Sequence, residues 1–158
     1  MSTRGAFGIR KNGIDKVGYN HFDSYPEGLG AEILTWLKNT DMNKLSSLFD
    51  KIILLEPNHD FKEVFNWDTH EINSSFTEDS AFLGDSLFCE YAYIINLDDN
   101  VLEFYVGFNE DPNAKGRYAS LNKKDGLDEF ANYYGVVLKK TFQLKECFEG
   151  KYTEKDFE

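Results

Sequence analysis

The sequence predicts an α+β fold in which two β-hairpins build an antiparallel sheet and helices pack on one face of it. One segment alternates apolar and polar residues around a short turn, and another is apolar on both faces before a turn. Two others repeat apolar residues at helical spacing, and no internal repeat is present. At 158 residues, 16% of them aromatic, the chain is long enough to bury a core without disulfide or metal staples. We therefore expect a single domain over residues 1–158.

The first predicted hairpin begins at the N-terminus. Phe7 and Ile9 alternate with small or basic residues, the turn reads Lys-Asn-Gly at residues 11–13, and alternation resumes at Val17. Such alternation around a glycine-containing turn is typical of a hairpin with one buried face.

A helix is expected next, over residues 26–38. Pro26 suits a first helical turn, and Leu and Ile recur behind it at helical spacing. Gly28 and Gly30 are poor helix formers, so their place in the opening turns indicates close approach to a neighbouring backbone or to a ligand. An irregular loop is the alternative.

A second helix is predicted over residues 42–53, capped by Thr40 or Asp41 and stopped by Pro57. Apolar residues recur through it at helical spacing. Residues 57–86 are polar and lack clear periodicity, and we interpret them as an ordered excursion.

The second hairpin is expected to be central, because its first strand is apolar on both faces. It pairs residues 87–95 with residues 101–108 across an Asn-Leu-Asp-Asp-Asn turn. A short helix is predicted around residues 127–134 and a further strand over residues 136–144. The last fourteen residues, 145–158, are expected to be frayed.

The formal net charge of −11 is unevenly distributed. Residues 56–111 hold fourteen acidic side chains against one basic residue, Lys62. This segregation opposes direct binding to nucleic acid, whose phosphates need a broad basic face, but leaves room for a small anion in a local basic pocket. The acidic segment is either a solvated face or an imitation of nucleic-acid charge.

The other class indicators point to the cytoplasm. Cys89 and Cys147 have no metal-ligand spacing and are expected to be packing residues. The N-terminus lacks the layout of a signal peptide, and no apolar run has the length of a membrane span. No metal, cofactor or membrane partner is expected.

Residues 19–30 are the predicted site. In an extended stretch Tyr19, His21 and Asp23 share one side, with Tyr25 just beyond. His21 and Asp23 have the types of a base and its orienting carboxylate. In the alternative, Asp23 or Ser24 caps the following helix and His21 fills a hydrogen-bonded core position.

Three further residues are candidates. Arg4 is the best anion-binding residue, because a guanidinium pairs with phosphate through two parallel hydrogen bonds, and Arg117 is second. Both alternatively form surface ion pairs. Ser2 follows the initiator Met, whose removal would expose an α-amino group able to act as the base for its own side chain. Ser2 is the only catalytic candidate, whereas simple processing is the alternative.

The chain resembles a family of small, largely uncharacterised proteins of phages, prophages and bacteria. Members begin with Met-Ser-Thr-Arg, carry His-x-Asp-x-Tyr-Pro before a helix, and share an aromatic hairpin like that of residues 90–107. Ser24 stands where many relatives have Gly. The matching positions are Ser2, Thr3, Arg4, His21, Asp23, Tyr25 and Pro26. The family carries no settled activity, but the resemblance implies a phage-type context, and so the host-cell cytoplasm, in which small acidic proteins frequently block host defences.

Three functions are therefore expected. The first is binding and sequestration of a small anionic, nucleotide-like ligand, such as a host immune signal, by Arg4, Tyr19, His21, Asp23, Tyr25 and Arg117. The second is an amidohydrolase-like enzyme that uses Ser2 as an N-terminal nucleophile, with His21 or Asp23 nearby. The third is an acidic inhibitor of a host defence protein that acts by nucleic-acid mimicry. The oligomeric state is open, and a homo-oligomer is compatible with the sequence.

Overall fold

A mixed five-stranded sheet organises the chain in the computed structural model, which describes residues 2–57, 60–121 and 132–158. The strands are β1 (Gly5–Lys11), β2 (Ile14–Asn20), β3 (Ile53–Leu55), β4 (Phe65–Asn66), β5 (Glu71–Ile72), β6 (Ser75–Thr77), β7 (Tyr91–Asn96), β8 (Val101–Val106) and β9 (Val137–Gln143). The helices are α1 (Ala31–Leu37), α2 (Met42–Lys51) and α3 (Leu144–Phe148). The sheet order is β2-β1-β7-β8-β9, and β3 pairs with β6 and β4 with β5 outside it.

The predicted α+β class is confirmed, but a strictly antiparallel sheet made of two hairpins is not what forms. Strands β1 and β2 pair antiparallel, as do β7 and β8, whereas β1 and β7 run parallel. The long connection over residues 21–90 carries the chain back beside β1 in the same direction, as a parallel pairing requires. Strand β9 then adds a fifth, antiparallel strand beside β8.

The first predicted helix is confirmed, with an irregular start. Residues Pro26–Gly30 form a π-helical turn that leads directly into α1. Gly28 packs against the backbone carbonyl of Asp23, so a side chain at this position would collide with it. The expected close approach is therefore to a neighbouring backbone. No side chain caps the turn, and the alternative in which Asp23 or Ser24 does so is wrong.

The second helix is shorter than predicted. Asp41 caps α2 by accepting a hydrogen bond of 2.8 Å from the backbone N–H of Lys44. The helix ends at Lys51 rather than at residue 53, because the β-branched Ile52 takes an extended backbone and the short strand β3 begins at Ile53. The excursion predicted after it contains three short strands and a 3₁₀ turn at Ser80–Gly84.

The prediction of a frayed C-terminus is wrong. Helix α3 is followed by a 3₁₀ turn at Glu154–Phe157, and the Phe157 ring is fully buried. That ring packs against Tyr93, Phe104 and Phe142, with centroids 4.8 to 5.5 Å apart. Burial of a whole aromatic side chain stabilises the tail enough to hold it on the sheet. Most of the helix predicted around residues 127–134 lies outside the described residues.

The sheet buries a different cluster on each face. The helical face joins side chains of the three helices to alternating strand residues, among them Phe7, Ile9, Tyr93, Ile95, Leu102 and Phe104. The opposite face is covered by loops and contains Ala6, Val17, Ala92, Ile94, Tyr105, Phe82 and Tyr118. Each face buries one cysteine, so their predicted packing role is confirmed. Among the described residues, no helix has the length and apolar character needed to cross a membrane.

Candidate functional site

The predicted site forms at the end of β2, on the loop-covered face of the sheet. The His21 ring lies between two hydroxyl groups: Ser2 Oγ is 3.2 Å from Nε2, and Tyr19 Oη is 2.6 Å from Nδ1. The backbone N–H of His21 donates to Glu63 Oε1 at 2.6 Å, which fixes the backbone below the ring. We call Ser2, Tyr19 and His21 the His21 cluster. Three residues singled out in the sequence are thus in one hydrogen-bonded chain.

Asp23 and Tyr25 lie beside this cluster without joining it. The exposed Asp23 has a left-handed backbone with φ of 54°, which breaks the alternation that predicted its side chain on the same side as His21. Its carboxylate accepts a hydrogen bond from Tyr25 Oη at 3.3 Å. The charge of Asp23 accordingly raises the pKa of Tyr25. The group that contacts His21 Nδ1 is therefore the Tyr19 phenol rather than the Asp23 carboxylate predicted to orient the imidazole.

Aromatic rings surround the His21 cluster. Phe61 and Phe82 meet the Tyr19 ring edge-on, at centroid separations of 5.6 and 5.1 Å, and Phe22 meets the His21 ring at 4.5 Å. Phe22 is 57% exposed and Phe61 is 46% exposed. Exposed rings are unusual in a chain that buries most of its aromatics, and they mark a contact surface. A pocket of about 330 Å³ opens among them, lined by Tyr19, Phe61, Asp79 and Phe82.

Arg4 supplies positive charge at this surface. Its guanidinium carbon lies 5.4 Å from the centroid of the Phe88 ring, in a cation–π arrangement. Burial raises the pKa of Tyr19, and the charges of Glu63 and Asp79 raise it further, whereas the charge of Arg4 lowers it. The net effect is upward, so the Tyr19 hydroxyl stays protonated at neutral pH. The surface therefore carries one cation and two carboxylates around a neutral phenol.

Arg117 lies at the opposite end of the same face. Its guanidinium makes a two-pronged ion pair with Glu103, with Nη1–Oε2 at 2.7 Å and Nη2–Oε1 at 2.6 Å. The Tyr118 hydroxyl accepts from Arg117 and donates to Asp15, which also pairs with Arg10 at 3.0 Å. We call these five residues the Arg117 network. The structure therefore does not bring Arg117 together with Arg4, because Asp15 and Tyr19 lie at opposite ends of β2.

Burial governs the ionisation of this network. Burial alone raises the pKa of Glu103, but hydrogen bonds and charge from Arg117 outweigh it and hold the pKa below the ordinary value of 4.5. Hydrogen bonds from Asn96 and Tyr105 act in the same direction. Glu103 is only 4% exposed, whereas the Arg117 side chain is 30% exposed, so the ion pair is partly buried. Both guanidinium prongs are thus engaged by Glu103.

Sequence reasoning missed the residues that the excursion contributes to the site. Glu63, Phe61, Asp79 and Phe82 all come from the segment that lacks periodicity, and only its folding beside β2 places them. The backbone N–H of Val64 donates to the carbonyl of Tyr19 at 3.2 Å, and the backbone N–H of Asp79 donates to the carbonyl of Val17 at 2.9 Å. The available signal was weak: aromatic residues persist in this otherwise polar, acidic stretch.

The fold and site define an α+β domain with a serine–histidine–tyrosine chain on an aromatic surface. Comparisons with protein-family models, with curated proteins and with solved structures find no match to the chain. Within the described residues, no group of three or more His, Cys, Asp or Glu side chains is placed to hold a metal ion. The function is therefore argued from the site itself.

Proposed function

We propose that the protein binds and sequesters a small nucleotide-like ligand at the surface around the His21 cluster. The observation that carries the proposal is the pocket of about 330 Å³, whose lining combines three aromatic rings with Asp79; one of those rings, Tyr19, is hydrogen-bonded to His21. Its volume is in the range typical of small-molecule pockets. A planar heterocycle stacks on such rings whatever its identity, because every base has a π face.

The charges around the pocket favour a ligand with two chemically different ends. Arg4 offers a guanidinium to an anionic group such as a phosphate, through charge-assisted hydrogen bonds. Glu63 and Asp79 instead favour groups that donate hydrogen bonds, as the amino groups of nucleobases do. A simple inorganic anion satisfies only Arg4. A nucleotide, with a donor-bearing base and a phosphate, suits both kinds of side chain.

Arg117 is not needed for this proposal, because Glu103 engages its guanidinium at the far end of the face. We propose that Tyr25 and Asp23 contact the outer part of the ligand. A phage-type context, as implied by the family resemblance, agrees with capture of a host signal without turnover. Nucleic-acid mimicry by the acidic segment is a separate proposal, in which a basic protein surface takes the place of the small ligand.

The test is capture of ligand by purified protein. The protein is incubated with a pool of mononucleotides and cyclic mono- and dinucleotides, separated from free ligand, denatured, and the released molecules are identified by mass spectrometry. We expect at least one nucleotide to be returned unaltered. Arg4→Gln should weaken its affinity by about 10- to 100-fold, the loss expected for one charge-assisted hydrogen-bonding group.

Lys51→Gln is the matched control, because it removes one positive charge from the exposed face of α2. It should leave capture unchanged. Equal affinity of the Arg4→Gln variant would contradict the proposed site. Failure to capture any nucleotide would contradict the ligand class, and a salt-sensitive complex with a basic protein would then support mimicry.

A further inference from the structure

We propose that Ser2 is a reactive nucleophile for acyl transfer and that His21, rather than an α-amino group, is its base. Ser2 Oγ lies 3.2 Å from His21 Nε2, within the reach expected of a nucleophile and its base before substrate binds. The opposite ring nitrogen, Nδ1, lies 2.6 Å from the Tyr19 hydroxyl. This activity goes beyond ligand capture and does not require it.

The hydrogen-bond chain defines which imidazole tautomer is reactive. When Nδ1 carries the proton and donates to the Tyr19 oxygen, Nε2 is free to accept the proton of Ser2. The high pKa of Tyr19 keeps its oxygen a neutral acceptor, so no negative charge builds up behind the imidazole. The Ser2–His21–Tyr19 chain differs from a serine–histidine–aspartate triad in the charge of its third group, which is a neutral phenol here and a carboxylate in the triad.

Four other nucleophilic side chains are buried. Burial raises the pKa of the Cys147 thiol to about 12 and raises that of Cys89 well above its ordinary value, so neither thiol ionises at neutral pH. Ser24 and Ser86 are fully buried. Ser2 and His21 are half-buried at the rim of the aromatic surface, where a reagent reaches them.

The reaction balances with water as the only co-reactant. Ser2 Oγ attacks the carbonyl carbon of an ester, thioester or activated amide while its proton passes to His21 Nε2. The tetrahedral intermediate collapses, the bond to the leaving group breaks, and the leaving group takes that proton. Water then attacks the resulting serine ester, gives a proton to His21 Nε2, and releases the acid as Ser2 regains a proton.

A base at His21 makes the reactivity of Ser2 independent of what precedes it in the chain. In an N-terminal nucleophile enzyme the α-amino group is the base, and any residue before the nucleophile abolishes the reaction. Here, a protein extended by a short Gly-Ser-Gly peptide before Met1 should still react. This property separates the present inference from the amidohydrolase predicted from the sequence, which needs a free amine at residue 2.

The experiment uses a biotin-tagged alkyl fluorophosphonate, which reacts with activated serines by losing fluoride. The full-length protein and the extended protein are incubated with it, and the site and rate of labelling are measured by intact mass and peptide fragmentation. We expect labelling on Ser2 in both proteins, at comparable rates. Ser2→Ala should abolish the label, while Ser47→Ala, which removes an exposed serine of α2, should keep it.

His21→Asn should slow labelling by about 100-fold, the lower bound for loss of a general base. His70→Asn is the matched control, since His70 is exposed and pairs with Glu32, which lies 38 residues earlier in the sequence. Circular dichroism of every variant confirms that it is folded. Labelling of the native N-terminus but not of the extended protein would overturn the proposal, as would equal rates in the His21→Asn and His70→Asn variants. Nucleotide capture is measured separately on the wild-type protein, so failure of one proposal is distinguishable from failure of the other.

Discussion

The two ends of the loop-covered face carry similar residue types in opposite arrangements. At one end, the Arg117 network pairs its charges with one another around Glu103, which is only 4% exposed. At the other end, the His21 cluster is half-buried and is bordered by exposed aromatic rings and Arg4. Mutually satisfied charges around a buried carboxylate serve the fold. The aromatic rings and the pocket at the His21 end are the basis on which we propose ligand binding there.

Loss of Arg117 should give the largest change in stability. Arg117→Ala leaves the Glu103 carboxylate buried without its guanidinium partner, which should lower the free energy of unfolding by about 3 kcal/mol at pH 7. Urea denaturation measures this loss. His21→Ala, at the exposed end, should cost about 1 kcal/mol or less. Equal losses for the two variants would contradict the comparison.

The pH dependence of the unfolding free energy of the wild type and of Arg117→Ala tests this prediction further. In the wild type, the pKa of Glu103 lies below 4.5, so its stabilising contribution is complete above that pH and is lost as the pH falls through the folded-state pKa. Arg117→Ala removes the largest influence that opposes burial, so the pKa of Glu103 should rise. The Glu103 carboxylate of the variant is then protonated at a higher pH than that of the wild type. The difference in unfolding free energy between the two proteins should therefore narrow as the pH falls. A gap that stays constant down to pH 3 would contradict an ionised Glu103.

Tyrosine-to-phenylalanine substitutions compare the two ends with the same chemical change. Tyr105 donates to Glu103 at 2.9 Å in a fully buried position, so Tyr105→Phe should lower the free energy of unfolding by about 2 kcal/mol. Tyr19→Phe removes a hydrogen bond to the His21 ring in a half-buried position and should cost about 1 kcal/mol. Thermal and urea unfolding measure both. A larger loss from Tyr19→Phe would mean that the His21 cluster is structural.

Local patterns predicted the elements that depend on neighbours in sequence. The turn at Asn12 and Gly13, both in left-handed backbone conformations, and the cap at Asp41 follow from residue type alone. The parallel pairing of β1 with β7 does not, because it depends on the path of a connection of about seventy residues. Burial of the C-terminal tail likewise could not be predicted from local patterns, because the space that Phe157 fills exists only in the folded sheet.

The site was predictable to the same extent. Alternation placed Tyr19 and His21 on one side of β2, and the short segment before β1 allowed Ser2 to reach them. Alternation failed at Asp23, where the backbone turns left-handed. Alternation also gave no information on Arg117, because its ion-pair partner, Glu103, is fourteen residues away on β8. Long-range partners decide whether a charged residue is free to bind.

The smallest effect is expected at an exposed carboxylate near the Arg117 network. Asp98 accepts hydrogen bonds from the backbone N–H groups of Asn12 at 2.7 Å and Gly13 at 2.9 Å, joining the turns of the two hairpins. These bonds, from Gly13 and then from Asn12, lower its pKa below 3.8, so its contribution is present above pH 3.8 and is lost as the pH falls through the folded-state pKa. Asp98→Ala should lower the thermal midpoint at pH 7 by less than Tyr105→Phe does, because water replaces an exposed hydrogen bond at little cost. If Asp98→Ala destabilised the protein as much as Arg117→Ala does, location at this end of the sheet, rather than burial, would set the energetic difference between the two ends.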